Sequence, residues 1–118
     1  PTGIRIRVTD NNKLIMQQAG STLPNYYCES TDPVPLDSWK QAVVVYRGAP
    51  TNNVRLYIDS IEVASCAFVD YSLYSVSQVG IGGLPGYDSA TFHGYLDDVR
   101  FYSRALTPPE ILYLYNHP

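Results

Sequence analysis

The sequence predicts an all-β fold, an antiparallel two-sheet sandwich of the jelly-roll kind with a short C-terminal helix. Three observations predict it. Short runs alternate apolar and polar residues with the two-residue period of a strand: Ile4, Ile6 and Val8 face one way, Arg5 and Arg7 the other. Eleven tyrosines, nine prolines and eight glycines give a composition of strands joined by punctuated turns. Near the end, Thr107-Pro108-Pro109-Glu110 sets a cap, a proline at the first helical position and a glutamate three residues after the cap.

Residues 4–8 and 14–18 read as a hairpin around the turn Asp10-Asn11-Asn12-Lys13, because Asx residues tolerate left-handed backbone. Residues 20–25 read as loop and 26–29 as a short strand. Pro33 and Pro35 make residues 31–37 an extended connection and not a ladder. Residues 39–47 form the strongest strand, apolar on both faces: Trp39, Val43 and Val45 on one, Ala42, Val44 and Tyr46 on the other. That pattern implies a position between two layers. Residues 54–58 and 61–64 pair across Asp59-Ser60, where glycine at the second position would suit a type I′ turn better.

Residues 66–76 read as a long loop, 79–82 as a short strand and 82–89 as a glycine-rich loop. No lysine or helix follows that loop, so it is not a phosphate cradle. Residues 92–102 read as the strand around which the chain is organised. Leu96, Val99 and Phe101 anchor it, and the break in alternation at Asp97 and Asp98 predicts a bulge. Ile111, Leu112, Leu114 and Tyr115 then give the helix an apolar face that ends at Asn116.

The 118 residues make one domain, 1–118. A net charge of −3 argues against nucleic acid as the main partner, and no apolar run approaches the roughly 18 residues of a membrane span. The chain begins Pro-Thr-Gly without methionine, which reads as a processed or excised piece of something longer. Cys28 and Cys66 leave two readings: a disulfide made in an oxidising compartment, or two separate buried thiols.

Three blocks carry a resemblance. Residues 38–46 (SWKQAVVVY) are similar to the W-x-x-V-A-V-x-Y-D-G strand of laminin-G-like, concanavalin A-like domains. Residues 54–64 (VRLYIDSIEVA) resemble the V-x-L-Y-V-D-G-x-x-V-A hairpin that follows it. Gly80-Ile81-Gly82 and residues 92–111 (FHGYLDDVRFYSRALTPPEI) resemble the closing block of that family. The family's opening strands have no counterpart here. An open sheet edge should then pair with something, whether a partner or another segment of the same chain.

The resemblance implies a module that binds glycans or proteins, as in lectins and cell-adhesion domains. It also implies a structural calcium ion, for which Asp97 and Asp98 are the candidate ligands. Tyr26, Tyr27, Tyr71, Tyr74 and Tyr87, with Asp70 and Asp88, are the candidate ligand-binding residues, because sugars stack on rings and carboxylates take their hydroxyls. The alternative is that these rings are buried in a protein interface. No catalytic constellation is visible. A glycosidase needs two carboxylates across a cleft, whereas Asp97 and Asp98 are adjacent. The sequence therefore predicts a non-enzymatic binding module, for carbohydrate recognition or adhesion first, on the outside of a cell or virion and attached to or assembled with other domains. The alternative is a structural interaction domain that completes its sheet with a partner or with another segment of its own chain.

Overall fold

The structure, a computed structural model, describes residues 3–19, 26–48, 50–67, 79–84 and 87–118, except the side chains of residues 3, 19, 84 and 87–90. Strands β1 (Gly3–Val8), β2 (Leu14–Ala19) and β3 (Tyr26–Glu29) form one antiparallel sheet in that order. Strands β4 (Ala42–Arg47), β5 (Asn53–Ile58) and β6 (Ile61–Ala67) form the second. Strands β7 (Gly83–Leu84) and β8 (Tyr87–Thr91) make a small separate ladder, and helix α1 (Pro108–Asn116) comes last.

The first hairpin closes as its residue types dictate. Asn12 takes a left-handed φ of 60°, and the Thr9 N–H donates to the Lys13 carbonyl at 2.9 Å. Register then puts Ile6 opposite Met16, and Met16 opposite Cys28, on one face. On the second sheet, Val44 lies opposite Leu56 and Tyr46 opposite Val54. β3 packs over β5 and β6, and β2 over β5. Between the sheets Leu14, Met16, Cys28, Val54 and Leu56 are buried together. The buried Ser30 hydroxyl accepts from the Leu14 N–H at 3.1 Å and donates to the Asp32 carbonyl at 2.8 Å, so it is fully satisfied. A disulfide joins Cys28 on β3 to Cys66 on β6 and so ties one sheet to the other.

The outer face of the second sheet holds another core, in which Val45 and Tyr57 pack with Leu106 and Ile111. β4 therefore does lie between two layers, the first sheet on one side and the helix on the other. The helix starts where the cap motif places it. The Thr107 N–H donates to Glu110 Oε2 at 2.8 Å, and the first helical bond runs from the Ile111 N–H to the Thr107 carbonyl at 3.0 Å.

Expectations for four stretches need correction, and two loops lie outside the described residues. Residues 92–102 form no strand, because among the described residues no neighbouring chain offers them a ladder. Residues 39–41 stay outside β4: Lys40 and the Gln41 N–H are drawn instead to the Asp59 carboxylate, at 2.6 and 3.1 Å. β6 runs on through Cys66 to Ala67, since pairing with β5 extends to Asn53. Residues 79–82 are not a strand, whereas the glycine-rich stretch forms β7 and β8. The 20–25 loop and residues 68–76 of the long loop lie outside the described residues.

At the second hairpin Asp59 and Ser60 both take positive φ, 49° and 67°. The type I′ requirement is met without its glycine, and Ser60 carries the cost of a left-handed residue. Ser60→Gly should raise unfolding stability by about 0.5–1 kcal/mol, read as a higher urea midpoint at unchanged slope. The disulfide spans 38 residues of sequence. Replacing both cysteines by alanine should cost about 4 kcal/mol by the loop-entropy relation, measurable in the same titration.

Candidate functional site

Two regions hold the described side chains with functional potential: residues 92–106, leading into the helix, and the face of β3. Among the described residues, no backbone-to-backbone hydrogen bond engages residues 93–106. The apolar side chains of residues 95–102 face solvent: Tyr95 is 87% and Phe101 76% exposed, with Leu96, Val99 and Tyr102 about half exposed, whereas Leu106 at the end of the stretch is buried in the outer core. A monomeric protein seldom leaves so many large apolar groups uncovered in one short stretch.

The predicted irregularity sits inside this stretch. Asp98 has a φ of 53°, and its own N–H donates to Asp97 Oδ1 at 2.8 Å. Arg100 then donates twice to the Asp98 carboxylate, Nε to Oδ1 at 2.8 Å and Nη2 to Oδ2 at 2.6 Å. These bonds raise the Arg100 pKa above its ordinary value, the Asp98 hydrogen bond being the largest cause. Calcium takes six to eight oxygen ligands. Both Asp98 oxygens are committed to a guanidinium and one Asp97 oxygen to a backbone N–H. Among the described residues no three His, Cys, Asp or Glu side chains gather. As arranged, the donors among the described residues do not make up a calcium site.

Of the predicted ligand-binding residues, Tyr26 and Tyr27 lie side by side on β3 and alternate across it. Tyr26 packs against the inter-sheet core, whereas Tyr27 is 62% exposed. The structure thus separates them instead of pairing them. Tyr87 and Asp88 lie on β8, where their side chains are not described, and Asp70, Tyr71 and Tyr74 fall outside the described residues.

Sequence reasoning missed a second cluster. Tyr102, Arg104, Leu106, Glu110 and Tyr113 line a shallow depression of about 340 Å³ beside the helix start. Arg104 donates to both Glu110 oxygens, at 2.7 and 2.9 Å, while the Thr107 N–H holds Oε2. These bonds, Arg104 first, lower the Glu110 pKa to about 2, and the same pair raises that of Arg104. Glu110 was visible as a cap residue. Its ion pair was not, because six residues separate the partners and only the turn at 105–107 brings them together.

The fold and this surface define a class: an antiparallel β-sandwich with a helix on its outer face and an uncovered closing segment. The family then follows from sequence. The model of the concanavalin A-like lectin/glucanases superfamily, in its laminin-G form, matches residues 1–112, and the chain belongs to that superfamily. Among solved structures, an S-layer domain-containing protein from Clostridium thermocellum is similar, with 23% identity and a TM-score of 0.61. The match covers 95% of this chain but 55% of that one, so the chain spans about half the length of its structural neighbour. A search of curated proteins found no match.

The Glu110 ion pair sets a pH dependence. A carboxyl that titrates near 2 when folded and near 4.5 otherwise contributes fully above pH 4.5. That contribution is lost as pH falls through about 2. Solvent screening keeps it small. The thermal midpoint should therefore drop over this window, and Glu110→Gln should show a shallower drop than the parent chain.

Proposed function

We propose that this chain is a non-catalytic recognition module of an extracellular or cell-surface protein, and that it acts as a structural interaction domain whose sheet is completed by an added strand. The exposed stretch at 93–104, which has no ladder among the described residues, supports this most directly. Its side chains carry the apolar payload of a core strand, yet among the described residues no backbone ladder engages it, which suits an extended partner. Superfamily membership and the S-layer description of the structural neighbour support placement in an assembled surface protein. The inter-sheet disulfide suits an oxidising compartment.

Carbohydrate recognition is the second reading. It is favoured by the exposed ring of Tyr27 and by the depression where Tyr102 and Tyr113 meet the Arg104 and Glu110 pair. Apolar sugar faces stack on such rings, and charged groups beside them take hydroxyls. Both readings are non-catalytic, and both place the module among other domains or chains.

One paired experiment separates them. The folded chain is screened against extended ten-residue peptides, with amide exchange at 93–106 as the readout, and against a glycan array with calcium or chelator. Slowed exchange at 93–106 with a blank array is the expected result. Glycan binding without amide protection would transfer the function to the tyrosine sites. Dependence of that binding on calcium would mean that the Asp97 region rearranges around the ion.

A further inference from the structure

Strand β1 is a second open edge, and its chemistry is more specific than that of residues 93–106. It ends its sheet, with β2 on one side and no described strand on the other. Cross-strand partners share a face, so Ile4, Ile6 and Val8 continue the inner row of Gln18, Met16 and Leu14. Burial falls off sharply along that row: Met16 is 1% exposed and its partner Ile6 57%. The facing sheet covers β2 and β3 and leaves the β1 row in water.

The opposite face of β1 carries Arg5 and Arg7. Their neighbours across the ladder are Gln17 and Ile15, neither of them acidic. Glu29 shares this face but stands two strands from Arg7, roughly 10 Å away at ordinary strand spacing. Neither arginine is among the described ion pairs or side-chain hydrogen bonds. The edge thus offers an apolar row on one face and, on the other, two guanidinium groups with no carboxylate partner among the described residues.

A second copy of β1 is a poor occupant. Edge-to-edge pairing that keeps both apolar rows on the core side sets guanidinium against guanidinium on the other face, and like charges directly opposite are destabilising. The complementary occupant alternates apolar residues with acids, apolar side chains extending the inner row and carboxylates facing Arg5 and Arg7. We infer that β1 accepts an extended segment of alternating acidic and β-branched apolar residues as a fourth strand of its sheet. The inference rests on the proposed strand-accepting function but concerns a different edge and adds the partner's charge.

The test uses the 118-residue chain and two synthetic ten-residue peptides, one alternating valine with glutamate and one alternating valine with lysine. Amide exchange resolved by residue reads where a peptide lies. The expected result is that the glutamate peptide slows exchange at the β1 amides not used by β2, with affinity that weakens as salt rises. The lysine peptide should leave them unchanged. The double variant Arg5→Glu, Arg7→Glu, with its disulfide intact and its circular dichroism unchanged, should shift preference toward the lysine peptide by roughly tenfold. The inference is overturned if the charge-reversed variant keeps the parent's preference. Protection confined to 93–106 also overturns it, while leaving the proposed function standing. Protection at neither edge by any peptide removes both.

Discussion

Strand β5 is buried on both faces, and the remaining structure depends on that. Val54 and Leu56 point into the space between the sheets, while Tyr57 points outward beneath the helix. One six-residue strand therefore belongs to two cores. Its inner face holds the β1–β3 sheet, and its outer face anchors the turn at Leu106 and the first helical turn at Ile111. Full burial of such side chains stabilises by about 1.5–3 kcal/mol each, so this strand dominates the cohesion of a chain this small. The disulfide reinforces the same arrangement from one side, since Cys66 lies directly opposite Val54.

The elements that were legible in the sequence are those whose cause is local. The first hairpin follows from alternation and an Asx turn. The helix follows from Thr107, Pro108 and Glu110 within four residues of each other. The two-faced pattern of residues 42–46 reported a position between layers, because burial on each face selects apolar residues there whatever the partner is. The second hairpin forms around the expected Asp59-Ser60 turn even with serine in a glycine position. The hydrophobic rows on β5 and β6 evidently outweigh a left-handed residue, although the register shifts between Leu56 and Tyr57.

The closing segment was misread for the opposite reason. Residues 92–102 have the composition of a core strand, yet a strand is a property of two chains and not of one. Alternation encodes a face to bury and says nothing of whether a ladder partner is present. The expected bulge has no ladder to interrupt, and what remains of it is a local bend at the adjacent acids. Asp98 bends the backbone, and its carboxylate is taken by Arg100 two residues on. The same locality explains why the acids read as calcium ligands. Sequence shows two carboxylates together but not the guanidinium that occupies one of them.

The candidate site was the least legible part, and its chemistry explains why. Tyrosine serves equally as a roof over a core, a stacking platform and an interface anchor, so a tyrosine-rich sequence does not choose among them. Tyr26 and Tyr27 show this within one strand, one ring packed on the core and its neighbour in solvent. What distinguishes a recognition surface here is unmet demand: apolar side chains with no cover, backbone groups with no ladder and guanidinium groups with no carboxylate. Among the described residues, 93–104 have the first two, and the outer edge of β1 has all three. On the proposed reading, added strands would meet both demands, and the two arginines on β1, with no counterpart lacking a carboxylate in 93–106, would make the two places select different strands.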